Sequence, residues 1–171
     1  RARKKVLLKK PESVIARKET DSAQEDLLLG AELSPIPLGS TLTFYTDGAS
    51  SGNPGPAGIG IVIVDEQNRQ VGKVSLYLGE ATNNVAEYAA VIRALKLAGY
   101  FQAKSVRIRT DSELVVRQIN GQYKVKNEGL IPLYEEVIEL IRRLPLVKVE
   151  HIPREQNEKA DFLAKRASLG K

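Results

Sequence analysis

Between Leu42 and Leu78 three strand-like runs follow one another with only short connections, and this succession constrains the fold more than any other feature of the chain. Leu42 to Thr46 reads Leu-Thr-Phe-Tyr-Thr, with the period of a strand that buries one face. Ala57 to Val64 and Val71 to Leu78 read as two more strands, separated by a turn at Glu66-Gln67-Asn68. Strands joined this closely pair antiparallel, because a parallel crossover needs roughly a dozen residues or more. A three-strand meander is therefore predicted. Beyond it the pattern changes to alternating helix and strand. Thr82-Asn83-Asn84 supplies an N-cap for a helix through about Ala98, closed by Gly99. Ser105 to Arg109 alternates as a strand, and Ser112 to Ile119 reads as a short helix stopped by Asn120-Gly121. A helix from Asn127 or Leu130 to Arg143, a strand from Val147 to Ile152 and a last helix from Gln156 to Ala167 complete the order. Such a chain predicts an α/β domain with a mixed sheet and helices packed on it.

The stretch before Thr41 looks different. Its apolar residues come in scattered groups, Val6-Leu7-Leu8, Val14-Ile15 and Leu27-Leu28-Leu29, and it ends in Ser34-Pro35-Ile36-Pro37. Residues 1–40 are read as an arm or linker with room for one short helix, and 41–171 as the folded domain. The charge follows the same division. Residues 1–19 hold eight Lys/Arg against Glu12 and Glu19, while the rest of the chain, with 18 basic and 19 acidic residues, is nearly neutral. A basic arm of this kind suits a nucleic acid or another polyanion, or serves equally as a solubilising tail, a tether to another protein or the end of a removed domain. The chain has no Met, so it is expected to be processed or cut from something longer. It has no Cys either, which excludes disulfides, thiolate metal sites and a cysteine nucleophile, and fits a reducing, cytoplasmic setting. The longest apolar stretch, Ala57 to Val64, is far short of the roughly 20 residues that span a bilayer, so no membrane segment is expected.

Four carboxylates stand out. Asp47 ends the first strand and opens a loop, Gly48 to Gly58, that is long for a simple hairpin and rich in glycine. It reads either as an Asp-Gly turn or as a close approach to a ligand. Glu87 has no cation at i±3 or i±4 and shares a helix face with Val91, Ala94 and Ala98, so it points at the sheet rather than at water. A carboxylate on a packed face costs several kcal/mol unless cations or donors meet it. Asp111 follows the strand Val-Arg-Ile-Arg-Thr, where ligands gather at the C-terminal edge of α/β sheets. Thr110 and Glu113 form a Thr-x-x-Glu capping box around it, leaving Asp111 free in the first helical turn. Asp161 has Lys165 at i+4 and on local grounds is an ordinary surface ion pair.

Taken together, the stretches TDGASSGNPG, ATNNVAEYAAVIRAL, IRTDSELVVRQINGQ and HIPREQNEKADFLAKRA resemble the type 1 ribonuclease H family, in that family's order and over roughly Leu42 to Ala167. The resemblance implies a mixed five-stranded sheet, the meander plus two parallel strands, flanked by helices. It also implies a carboxylate set, Asp47, Glu87, Asp111 and Asp161, that holds two Mg²⁺ or Mn²⁺ ions. Hard divalent cations prefer oxygen donors, and gathered carboxylates repel one another without them. The implied activity is an endoribonuclease that hydrolyses the RNA strand of RNA/DNA hybrids and leaves 5′-phosphate and 3′-hydroxyl ends, acting as a monomer.

By the same resemblance, Gly48, through backbone amides near it, and the side chains of Asn53, Asn83 and Asn84 lie along the hybrid's minor groove, where the RNA 2′-hydroxyls are displayed. Thr82 and Asn127 match positions that hold a phosphate of the DNA strand. Two departures from the family pattern matter. Between Gln118 and Asn127 bacterial members insert a basic helix and loop that grip substrate, whereas this chain has only Ile-Asn-Gly-Gln-Tyr-Lys-Val-Lys. Weaker binding is expected unless the arm compensates. The family also often places a His in a mobile loop before the last Asp. Here His151 falls on the last strand and Arg154 stands in the loop, so both are candidates for assisting turnover. The competing reading is a hybrid-binding or assembly module of the same fold with weak catalysis. A different nuclease of this fold, an exonuclease or resolvase, lacks the TDG…GNPG loop and the TNN helix start.

Overall fold

The structure, a computed structural model, describes residues 22–170. The basic cluster at the start of the chain, and any role for it, therefore lies outside the described residues. Helix α1 covers residues 22–28. The remaining elements are β1 (Ala31–Leu33), β2 (Thr41–Ser50), β3 (Gly55–Val64), β4 (Gln70–Ala81), α2 (Asn83–Tyr100), β5 (Ser105–Thr110), α3 (Glu113–Ile119), α4 (Ile131–Arg142), β6 (Val147–His151) and α5 (Glu158–Ser168), with a 3₁₀ turn at Arg154–Gln156 before α5. One sheet runs in the order β1-β4-β3-β2-β5-β6. The β2–β3–β4 meander is antiparallel as expected, and β2, β5 and β6 are parallel neighbours.

The sheet has six strands where five were expected. The extra one, β1, comes from the stretch read as an arm: it pairs antiparallel with β4, Ala31 opposite Val74. Ile36, five residues before the expected domain start, is 1% exposed and belongs to the main core. Arg93 of α2 donates to the carbonyls of Asp26 and Leu27, which lie in the last turn of α1. Residues 22–40 are thus fastened to the body by strand pairing, core burial and a cationic helix C-cap.

Alternation along β2 and β3 separates two layers. Leu42, Phe44, Ile59, Ile61 and Ile63 face the larger core, which α2, α3 and α4 cover, while Val62 and Val64 face Leu163 of α5 with Tyr45 beside them. On the α5 side β3 also presents Gly58 and Gly60. A Cβ at Gly60 would collide with the backbone of Ala160 and Ala164, and one at Gly58 with Ala167 and the backbone of Ser168. The helix can lie this close to the sheet only because these two positions carry no side chain. Gly60→Ala is accordingly expected to lower stability by about 2 kcal/mol through forced displacement of α5, measurable as a reduced urea midpoint with unchanged slope. An unchanged midpoint would mean that α5 shifts without cost.

Helix α2 starts where predicted, with Thr82 Oγ1 accepting from the Val85 amide at 3.2 Å. It continues past Gly99 to Tyr100, so Gly99 is helical rather than a stop. In the larger core Tyr88 donates its hydroxyl to Gln118 Oε1 at 2.7 Å, a buried polar pair that ties α2 to α3. Burial first, then the nearby Tyr134, pushes the Tyr88 phenol up to about 12. No helix among the described residues is long and apolar enough to cross a membrane.

Candidate active site

Parallel pairing of β2 with β5 sets Tyr45 opposite Arg109, so the positions two residues further on, Asp47 and Asp111, leave neighbouring strands at one level. Glu87 reaches the same point from α2. Its approach depends on Gly48, where a Cβ would overlap the backbone of Ala86 and Glu87. Strand and helix touch there, and the Gly48 amide donates to Glu87 Oε1 at 3.1 Å. That amide therefore orients a carboxylate. One oxygen from each of Asp47, Glu87 and Asp111 lies within 4.8 Å of the others.

Asp161 comes from the opposite layer, on the helix that rests on Gly58 and Gly60. It lies outside that closest trio but lines the same open cleft of about 850 Å³ as Asp47. Lys165 pairs with it, Nζ to Oδ2 at 3.2 Å. The ion pair expected from local spacing is therefore present, and Asp161 faces the cleft as well.

Electrostatics at this cluster run against ionisation. Asp47 is only 5% exposed. Burial first, then the charges of Glu87 and Asp111 and the contact with Asp161, push its carboxyl up to about 9. Glu87 is pushed up to about 8 by burial and by Asp111, partly opposed by the Gly48 amide. Apart from Lys165, no Lys, Arg or His forms an ion pair with the four acids among the described residues. An all-oxygen donor set with unneutralised negative charge fits a hard divalent cation such as Mg²⁺ or Mn²⁺.

Of the other expected residues, Gly48, Asn83, His151 and Arg154 line the cleft, the last two exposed at its rim. Asn53, Thr82, Asn84 and Asn127 do not line it. Asn53 Oδ1 accepts from the Asn83 amide at 3.0 Å, fastening the glycine-rich loop to the start of α2. Asn127 Oδ1 accepts from the Gly129 amide at 2.8 Å in the turn before α4. The capping box expected at Thr110 is absent. Ser112 caps α3 by accepting from Val115, while Thr110 Oγ1 accepts from the Ser112 amide. Glu113 pairs with Arg117 instead of reaching back. A serine one residue before the first helical position competes better for the cap, and Asp111 consequently sits ahead of the helix rather than in its first turn.

Asn157 escaped the sequence reading. It stands at the N-cap of α5, yet its side chain makes no capping bond. Nδ2 donates instead to the carbonyl of Thr46 at 2.9 Å, a buried link between α5 and β2. Its Oδ1, like Thr46 Oγ1, has no hydrogen-bond partner among the described residues. A missing cap costs about 1 kcal/mol and an orphaned buried acceptor about 1–3 kcal/mol. The signal in the sequence was an Asn four residues before Asp161, the spacing of a cap one turn ahead of a functional position.

A mixed sheet with helices on both faces, and acids from two parallel strands and two opposed helices meeting at the strand ends, defines the ribonuclease H-like class of α/β proteins. Residues 45–167 match the family described as reverse transcriptase-like. The chain is 39% identical over 129 residues to the ribonuclease HI of Halobacterium salinarum, covering 75% of this chain and 65% of that protein. It is 35% identical over 143 residues to the ribonuclease H of Anaplasma marginale, covering 74% of this chain and 89% of that protein. The crystal structure of LC11-RNase H1 in complex with an RNA/DNA hybrid superposes with a TM-score of 0.72 at 44% identity, covering 76% of this chain and 98% of that one. The chain belongs to the type 1 ribonuclease H family. It spans about two thirds of the length of the archaeal relative, 65%.

Proposed function

We propose that the protein is a metal-dependent endonuclease that hydrolyses the RNA strand of RNA/DNA hybrids. The observation that carries this reading is the convergence of Asp47, Glu87 and Asp111, their oxygens within 4.8 Å, with Asp161 on the same cleft. In the reaction, the oxygen of a water bonds to phosphorus as the P–O3′ bond breaks, so one fragment keeps the 5′-phosphate and the other leaves with a 3′-hydroxyl. Divalent ions, two of them Mg²⁺ or Mn²⁺, supply activation of the water and charge neutralisation when bound. Asp47, Glu87, Asp111 and Asp161 would hold them. The Gly48 amide fixes the Glu87 carboxylate in the orientation this requires. Arg154 and His151, exposed at the rim, would assist turnover by meeting a phosphate and by passing on a proton, respectively.

Substrate contacts follow from which atoms are already used. Asn53 and Asn127 spend their side-chain oxygens locally, which leaves their amide N–H groups as donors, and Thr82 retains its hydroxyl proton. Donors are what phosphate oxygens and 2′-hydroxyls need. Asn83 and Asn84 stand exposed at the start of α2, next to Asn53 and Thr82. A weakly catalytic binding module of the same fold is less well supported, since all four acids are present. We place the protein in the cytoplasm as a monomer; the cysteine-free composition accords with that setting.

The test is incubation with labelled RNA/DNA hybrid, RNA duplex or DNA duplex in Mg²⁺, Mn²⁺ or chelator. Cleavage of the hybrid's RNA strand alone, dependent on metal, is expected; metal-independent cleavage or attack on all three would overturn the reading. The arm is tested by a deletion narrower than residues 1–40, because removing that whole stretch would also take β1 and Ile36. Deleting residues 1–21 is expected to leave the saturated rate unchanged while weakening hybrid binding and flattening its salt dependence. Binding that is unchanged at every salt concentration would instead point to the arm as a protein tether.

A further inference from the structure

We propose that Asn157 is a positioning residue that sets the separation of Asp47 from Asp161, and through it the affinity of the site for divalent cations. This rests on the metal-dependent reading above. The evidence is what the residue forgoes. Asparagine at an N-cap ordinarily turns its oxygen onto its own helix. Here that bond is absent, Oδ1 is buried without a partner among the described residues, and the residue is 1% exposed. Local stability is given up twice at one side chain, which is the pattern expected where geometry matters more than stability.

The bond formed instead has a specific address. Nδ2 donates to the carbonyl of Thr46, the residue immediately before Asp47. Asp161 is joined to the same asparagine from the other direction, its amide donating to the Asn157 carbonyl at 3.0 Å in the first turn of α5. A single residue therefore contacts the backbone next to one acid and the backbone of another. Gly58 and Gly60 let α5 come close to β3, and Ser75 Oγ donates to the Leu163 carbonyl at 2.9 Å in the middle of the helix. The Asn157 bond fixes the N-terminal end of α5, the end that carries Asp161. Asp47 and Asp161 share no main-chain hydrogen bond among the described residues, and the Asn157 link joins the backbone segments that carry them.

Asn157→Ser tests this. Serine is neutral and can cap α5, but it is too short to reach Thr46. The variant is expected to melt, in chelator, at a temperature equal to or above that of the wild type. Calorimetric Mn²⁺ affinity should fall about 10-fold, and the Mn²⁺ concentration for half-maximal cleavage should rise by the same factor with KM for the hybrid unchanged. Asn157→Asp, which keeps the shape but loses the donor, should retain the fold and give a lower saturated rate. A folded variant with wild-type Mn²⁺ affinity would overturn the proposal, as would failure of both variants to fold, which would make Asn157 a structural pin only. Absence of Mn²⁺ uptake by the wild-type chain would instead remove the metal-dependent reading on which the proposal stands.

Discussion

Asp111→Asn is expected to lower the rate of RNA-strand cleavage by at least about 1,000-fold while leaving the fold intact. The residue sits in a bend between β5 and the Ser112 cap, so the isosteric amide keeps the local backbone bonds. What it loses is a negative oxygen in the trio that lies within 4.8 Å. Only donors aimed at the reacting phosphate and its ions in fixed positions contribute this much to a transition state, and a neutral amide is a poor replacement for a hard anionic ligand. Cleavage should be followed at saturating hybrid and Mg²⁺, with the circular dichroism spectrum as a control for folding. A variant with more than a tenth of wild-type activity would remove Asp111 from the metal-binding set.

The second large effect concerns stability, and it has the opposite sign from an ordinary buried substitution. Asp47→Asn should stabilise the chain at pH 8 in chelator by several kcal/mol, on the order of 3. The folded Asp47 carboxyl is raised from 3.8 to about 9, so it prefers to remain protonated in the native state. Below about pH 4 both states hold the proton and there is no penalty. As pH rises toward 9 the unfolded chain releases a proton that the folded one retains, and native stability is lost progressively across that window. The gain from Asp47→Asn should accordingly be greater at pH 8 than at pH 5, with Glu87→Gln behaving similarly over its own range. Adding Mg²⁺ should stabilise the wild type at pH 8 much more than the variant, because binding to the native state alone raises stability. Thermal melts at the two pH values, each with chelator and with Mg²⁺, give the full comparison. Equal melting temperatures for wild type and variant in chelator at pH 8 would mean that the cluster is not electrostatically loaded.

Much of this arrangement is legible in residue order. The alternation from Leu42 to Thr46 fixes which face Asp47 shares with Tyr45, and helical spacing alone places Glu87 toward the sheet. The parts that were hidden depend on partners far along the chain. Ala31–Leu33 is too short to carry a period and lies in Pro- and Ser-rich surroundings, so only the free edge of β4 makes it a strand. Two hydroxyl residues compete for the cap of α3, and propensity does not decide between Thr110 and Ser112; the backbone path of β5 does. The Gly48 amide cannot be assigned to Glu87 until α2 is docked, and the turn of Asn157 away from its own helix depends on a carbonyl 111 positions earlier.

The bare shelf formed by Gly58 and Gly60 also tells an engineer where the protein will tolerate improvement. On that side lie Asp47 and Asp161, so for the proposed activity larger residues that fill space there would trade turnover for rigidity. The opposite layer, where α2 and α4 pack with the Tyr88–Gln118 pair between α2 and α3, holds only Glu87 of the quartet, and the Gly48 contact anchors it locally. Efforts to raise the working temperature should begin with α4 and the outer turns of α2, and leave α5 as it is.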